Sequence, residues 1–173
     1  MPKTRPNTER GVSLLETVLY VSLFVLLSTM VIAALVSTVG EFNRLRMSRD
    51  INDSAIQIME RLTRDIKGGS TIDLAQSIFN QNPGQLTLTT LNASGTPTTV
   101  QYYVSGNTLN LRENGVEKGS LTAGASTVDA LVFRYFNTGS VVSVKIELHL
   151  RASHGTQTEL DHFYDTVIMR NTY

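Results

Sequence analysis

The chain has 173 residues, with 15 Lys and Arg balanced by 15 Asp and Glu, so its length suits one modest domain and its formal charge sums to zero. With no dense basic run, it lacks the electrostatic footprint that nucleic-acid binding uses. The absence of cysteine excludes a disulfide framework, a thiolate metal site, an iron–sulfur cluster and a cysteine nucleophile, which leaves packing to hold the fold together.

The apolar residues are concentrated early. From Thr17 to Gly40 no side chain is charged, and as a helix at about 1.5 Å per residue this run extends ~36 Å against a hydrocarbon layer of ~30 Å. A buried core helix of that length would need more surrounding core than the rest of the chain supplies. A cleaved secretory signal would have an apolar core of roughly 7–15 residues and a small-x-small cleavage site. No Ala-x-Ala closes this run, and Val31-Ile32-Ala33 is the nearest approach. The segment therefore reads as a membrane-spanning helix. Lys3, Arg5 and Arg10 before it are matched by Arg44, Arg46 and Arg49 after it, so counting charges does not orient it.

Glu16 stands at the edge of this run, with Val12-Ser13-Leu14-Leu15 extending the apolar stretch on its other side. An ionised side chain at membrane depth costs ~2.5–3.5 kcal/mol on insertion scales, so it needs a partner or a boundary position. The segment Arg10-Gly11-Val12-Ser13-Leu14-Leu15-Glu16, followed by an uncharged helix, resembles the class III leader of type IV pilins and type II secretion pseudopilins. The resemblance covers residues 10–40 and implies several things together. A prepilin peptidase would cut between Gly11 and Val12 on the cytoplasmic face, removing 11 of the 173 residues, and would methylate the new amino terminus on Val12. Glu16 would then serve assembly. The freed α-amine, with a pKa near ~7.7–8.0, is cationic at neutral pH, and the Glu16 carboxylate of one subunit can neutralise the Val12 amine of another where the dielectric is low. Methylation retains the amine's charge.

Val12 stands where the family usually has Phe, Ser13 where Thr is frequent, and Ala33 where major pilins often carry Pro. The uninterrupted helix places the chain nearer the minor pilins and J-type pseudopilins, whose last strand also resembles Val167-Ile-Met-Arg-Asn171. The implied partners are a prepilin peptidase, other pilin or pseudopilin subunits, an inner-membrane assembly platform and the lipid bilayer, with no cofactor. The implied location is the inner membrane, single-pass with the head on the extracytoplasmic side, and then a pilus or pseudopilus.

Beyond Gly40 the pattern becomes amphipathic. Phe42, Leu45, Ile51, Ala55, Ile58, Leu62 and Ile66 recur largely at steps of three and four, which predicts a helical stripe that covers the sheet after it. Glu60–Arg64 and Arg61–Asp65 have the i,i+4 spacing of helix ion pairs, and Gly68-Gly69 predicts the stop. A helix continuous from Val12 to Lys67 would measure ~84 Å. Strict heptads are absent, which argues against a coiled coil.

After residue 70 the composition shifts to Thr, Ser, Asn and Gly. Val142, Val144, Ile146, Leu148 and Leu150 alternate with polar residues as in a half-buried strand. Leu86–Thr89, Val100–Val104, Leu109–Leu111, Leu131–Phe136 and Phe163–Met169 are further strand candidates, separated by turn signals at Ser105-Gly106-Asn107, Glu113-Asn114-Gly115 and Thr138-Gly139. The expected fold is α+β: a long N-terminal helix, membrane-spanning in its first half and amphipathic in its second, packed on an antiparallel β-rich head. The expected organisation is a cleaved leader at 1–11, an assembly half of the helix at 12–40, an amphipathic half at 41–69 and the head at 70–173.

The usual catalytic constellations are missing: no Gly-rich phosphate loop, no His-Glu-x-x-His, no Gly-x-Ser-x-Gly. His149, His154, Asp161, His162 and Asp165 are the one set that could gather as metal ligands. His149 falls on the polar face of its strand and His154 in an apparent turn, so surface placement accounts for both. Asp161 and Asp165, four apart in a strand, would stand ~13 Å from each other, too far for a paired acid and base. Tyr102, Tyr103, Tyr135, Phe136, Phe163 and Tyr164 are adjacent pairs that a strand divides between core and surface. No catalytic or metal residue is expected. The competing reading is a single-pass anchored β-domain that binds a surface ligand without polymerising.

Overall fold

The structure, a computed structural model, describes residues 13–91, 94–139 and 141–170. One long helix near the N-terminus, α1 (Leu14–Gly68), precedes eight strands: β1 (Gly69–Ile72), β2 (Leu86–Leu91), β3 (Pro97–Ser105), β4 (Thr108–Glu113), β5 (Val116–Ser120), β6 (Ser126–Asn137), β7 (Val142–His154) and β8 (Gln157–Ile168). The strands form two antiparallel sheets, ordered β1-β2-β3-β4-β5 and β6-β7-β8. The fold is therefore α+β. The chain divides into two compact units, one ending at Phe42 and the other starting at Asn43.

In the second unit, residues Met47, Ile51, Ala55, Ile58, Leu62 and Ile66 of α1 share a single core with Leu86 and Leu88 of β2, Tyr102 of β3, Leu109 of β4, Phe133 of β6 and the even-numbered residues of β7 from Val142 to Ala152. The two-residue period of β7 is realised residue by residue, because one face packs on α1 and the other meets solvent. β2 departs from it: Leu86, Thr87 and Leu88 are all buried, since the 73–85 loop folds over the outer side and Gln76 O accepts from Thr87 Oγ1 at 3.0 Å.

The expected stripe needs one correction. Phe42 and Leu45 are 69% and 70% exposed, and the buried face begins at Met47. At about 100° per residue, Leu45 lies roughly 160° around the helix from Met47, so it points away from the sheets. Arg61 pairs with Asp65 at 2.9 Å as its spacing predicts, whereas among the described residues Glu60 and Arg64 form no ion pair. The Gly68-Gly69 stop is realised, and Gly69 opens β1 without a connecting loop. A Cβ there would stand 3.2 Å from Asp65 O and from Met169 Cε. β1 and β5 escape the sequence reading because β1 is four residues long and β5 is exposed throughout, with no alternation to betray it.

Polar contacts fix how the second unit's part of α1 lies on the sheets. Ser54 is buried against Ser126, Oγ to Oγ 2.6 Å, and accepts from Ala123 N at 3.2 Å. Tyr102 Oη donates to Asp65 Oδ2 at 2.5 Å, and Arg61 bridges Asp65 to Glu113 of β4. Burial, together with the Asp65 charge, pushes the Tyr102 phenol well above its ordinary pKa, so it stays protonated and keeps its proton for Asp65. Thr63 Oγ1 donates to Asp165 of β8 at 3.0 Å.

Candidate functional site

The first unit carries the feature that packing within the chain does not explain. From Leu14 to Val39 every large apolar side chain is more than half exposed, from Leu23 at 51% to Leu14 at 83%. A window of 18 residues in this stretch has a mean hydropathy of 2.5 and none of it is buried. An apolar surface that covers a whole helix on all sides is not left to water. By length and composition this helix can cross a membrane.

Four of its hydroxyls turn back onto the helix backbone. Thr17 Oγ1 donates to Ser13 O, Ser22 Oγ to Leu19 O, Thr29 Oγ1 to Leu26 O and Thr38 Oγ1 to Ala34 O, at 2.8–3.1 Å. These four hydroxyls are thereby satisfied by the helix backbone, a pattern compatible with hydrocarbon. Glu16 is treated differently. Its Oε1 accepts from Tyr20 Oη at 3.1 Å, one turn on, and among the described residues no cation stands beside it. A phenol offers a hydrogen bond but no compensating charge, so the carboxylate retains the capacity to take a cation from outside the described chain. Gly11 and Val12, the expected cleavage and methylation residues, lie outside the described residues.

In the head the expected metal candidates separate. His149 and His162 are cross-strand partners with ring centroids 4.0 Å apart, edge to face. Asp161 and Asp165 lie on the opposite face of β8, with Val167, and His154 ends β7. Among the described residues no group of three or more such side chains is placed to hold a metal ion. The aromatic pairs divide as a strand dictates: Tyr102 is buried and Tyr103 half-buried, Tyr135 packs on the core beside Phe136 at 49% exposure, and Phe163 does so beside Tyr164 at 59%.

Surface electrostatics on the three-stranded sheet centre on Glu147, which accepts from Arg134 Nε and Lys145 Nζ, each at 2.9 Å. These hydrogen bonds, with Arg134 the larger contributor, hold its carboxyl down at about 2. Sequence reasoning missed this cluster and the Arg61–Asp65–Tyr102–Glu113 network. Arg134 reaches Glu147 from the neighbouring strand, and Tyr102 and Glu113 reach Asp65 and Arg61 from the sheet; only the i,i+4 spacing of Arg61 and Asp65 gave a signal. No known protein family, curated protein or solved structure matches the chain.

Proposed function

We propose that this chain is a structural subunit, of the minor-pilin or pseudopilin kind, of a type IV pilus or type II secretion-like filament. It is processed by a prepilin peptidase at Gly11-Val12 and extracted from the inner membrane. Its work is mechanical rather than catalytic: the apolar helix holds neighbouring subunits together and the β-rich head projects outward. The observation that carries this reading is the single carboxylate of Glu16 in an otherwise uncharged apolar helix, five residues beyond Gly11 and supplied with no cation by the described chain. Helix surfaces that face lipid before assembly can face one another afterwards, since tails and apolar side chains offer similar surroundings and close packing decides between them.

The test is processing. When the full chain is coexpressed with a prepilin peptidase, mass spectrometry should find it shortened by 11 residues with a methylated Val12, and Gly11→Val should block the cut. A mature N-terminus still at Met1 would instead favour the anchored, non-polymerising β-domain.

A further inference from the structure

Sheet edges left bare invite strands from other chains, and folded proteins blunt them with short strands, bulges, Lys, Pro or a covering loop. Of the four edges here, three are blunted. β1 has four residues, and β5 carries Lys118, Gly119 at φ +110° and a register shift against β4. β6 is covered: Asn80 N donates to Phe133 O, Gly84 N to Leu131 O, Val128 N to Asn107 O, and Leu131 N to Asn82 Oδ1. β8 has no short length, bulge, Lys, Pro or covering loop; its blunting is confined to the inward-facing Asp161 and Asp165. It runs twelve residues, Gln157–Ile168, without Gly, Pro or Lys, and its register with β7 is unbroken.

The direction of its backbone groups can be read from the bonds at its end. Met169 N donates inward to Val142 O at 3.0 Å, while Arg170 N donates outward to Lys67 O at 3.4 Å. In an antiparallel ladder this alternation continues down the strand, so the even-numbered residues turn their N–H and C=O groups away from β7. Thr166 N is taken by Asp165 Oδ1. At Leu160, His162 and Tyr164 the outward groups meet no partner among the described residues. Beside this edge a groove of about 760 Å³ opens between α1 and β8, lined by Met59, Glu60, Thr63, Arg64, Asp165 and Arg170 among others. Ile56, 56% exposed, lies one turn along the same helix face as Met59 and Glu60. At the end of the groove beside Ile168 stand Arg64, Lys67 and Arg170, none of which has an ion pair among the described residues. Asp165 is occupied by Thr63 and Thr166 N.

The geometry points to β8 as a docking edge for an extended strand of a different protein, added antiparallel, with acidic residues at its start that meet Arg64, Lys67 and Arg170. Main-chain bonds to the edge supply affinity, and the cations and the Ile56–Met59 face supply selectivity. A second copy of β8 suits the edge poorly: self-pairing about His162 sets Glu159 opposite Asp165, and in the register about Tyr164 the acid that would reach Arg170, Glu159, is already paired with Arg44 at 3.5 Å. The edge and its cations are present whether or not the chain enters a filament.

The probe is a labelled, N-acetylated peptide of two Glu followed by alternating Thr and Val, titrated by fluorescence anisotropy against the full chain in detergent micelles. Residue-resolved amide exchange should show new protection at Leu160, His162 and Tyr164 when the peptide is present. His162→Pro removes an outward N–H that β7 does not use and should abolish binding while the thermal unfolding midpoint holds. Arg64→Glu combined with Arg170→Glu should weaken binding by about tenfold or more, as should replacing the peptide's Glu residues by Lys. Unchanged exchange at those three amides under saturating peptide would overturn the proposal, a result that needs no variant to fold. Equal affinity for the Glu and Lys peptides would overturn the acidic partner. Dimerisation of the chain that His162→Pro removes would reassign the edge to a second copy.

Discussion

Two carboxylates carry opposite lessons about charge. Glu16 sits on an apolar helix with the Tyr20 phenol as its one hydrogen-bond partner among the described residues, and under the proposed function its counter-charge comes from another subunit. Glu16→Ala should leave membrane insertion intact, since removing an ionisable group eases transfer into hydrocarbon, and should impair incorporation beside other subunits. Co-purification with those subunits measures this, and unaltered incorporation would remove the assembly role. Glu147 has its counter-charges in place. Its carboxyl, held near 2 by Arg134 and Lys145 against an ordinary value of 4.5, favours the folded state above pH 4.5, and that contribution is lost as pH falls from about 4.5 through about 2. Glu147→Gln should therefore lower the unfolding midpoint at pH 7, and the gap to the unsubstituted chain should close as the pH approaches 2. A gap independent of pH would mean that the lost hydrogen-bond geometry, not the charge, mattered. The carboxylate of Glu16 was legible in the sequence because a lone acid in an apolar run is conspicuous. Glu147 was not, because Arg134, the larger contributor to its lowered pKa, reaches it only when β6 and β7 pair.

At the level of elements, α1 changes role along its length. From Met47 onward one stripe is buried to 3% exposure or less, and Ile58 lies at its centre. Ile58→Ala should cost about 2–5 kcal/mol, the range for cavities in packed cores, whereas Leu45→Ala, at an exposed position, should change stability by no more than about 0.5 kcal/mol. Chemical denaturation of the full chain in detergent distinguishes the two, and comparable losses would mean that Leu45 is covered in the folded protein. The strands with clean alternation, β7 above all, were readable from the residues because a half-buried sheet imposes its period on the sequence. β5 lies open on both faces, so no such period was imposed and it was missed.

For the molecule as a whole, the buried hydrophobic residues among those described all lie at Met47 or later. A chain beginning at Asn43 should therefore remain folded and become soluble without detergent, with an unfolding midpoint within a few degrees of the full chain's; aggregation or loss of cooperative unfolding would show that the first unit supports the second. The sequence by itself determined the membrane-competent helix, the isolated acid at its edge and the β character of the C-terminal half, because hydrophobic length, charge and a two-residue period are local properties of the chain. Only the tertiary structure decided where the helix begins to bury itself, which charges meet across strands, and that β8 keeps outward backbone groups without partners among the described residues. Those depend on the rotation of one helix face and on the pairing of segments distant in sequence, which no local pattern encodes.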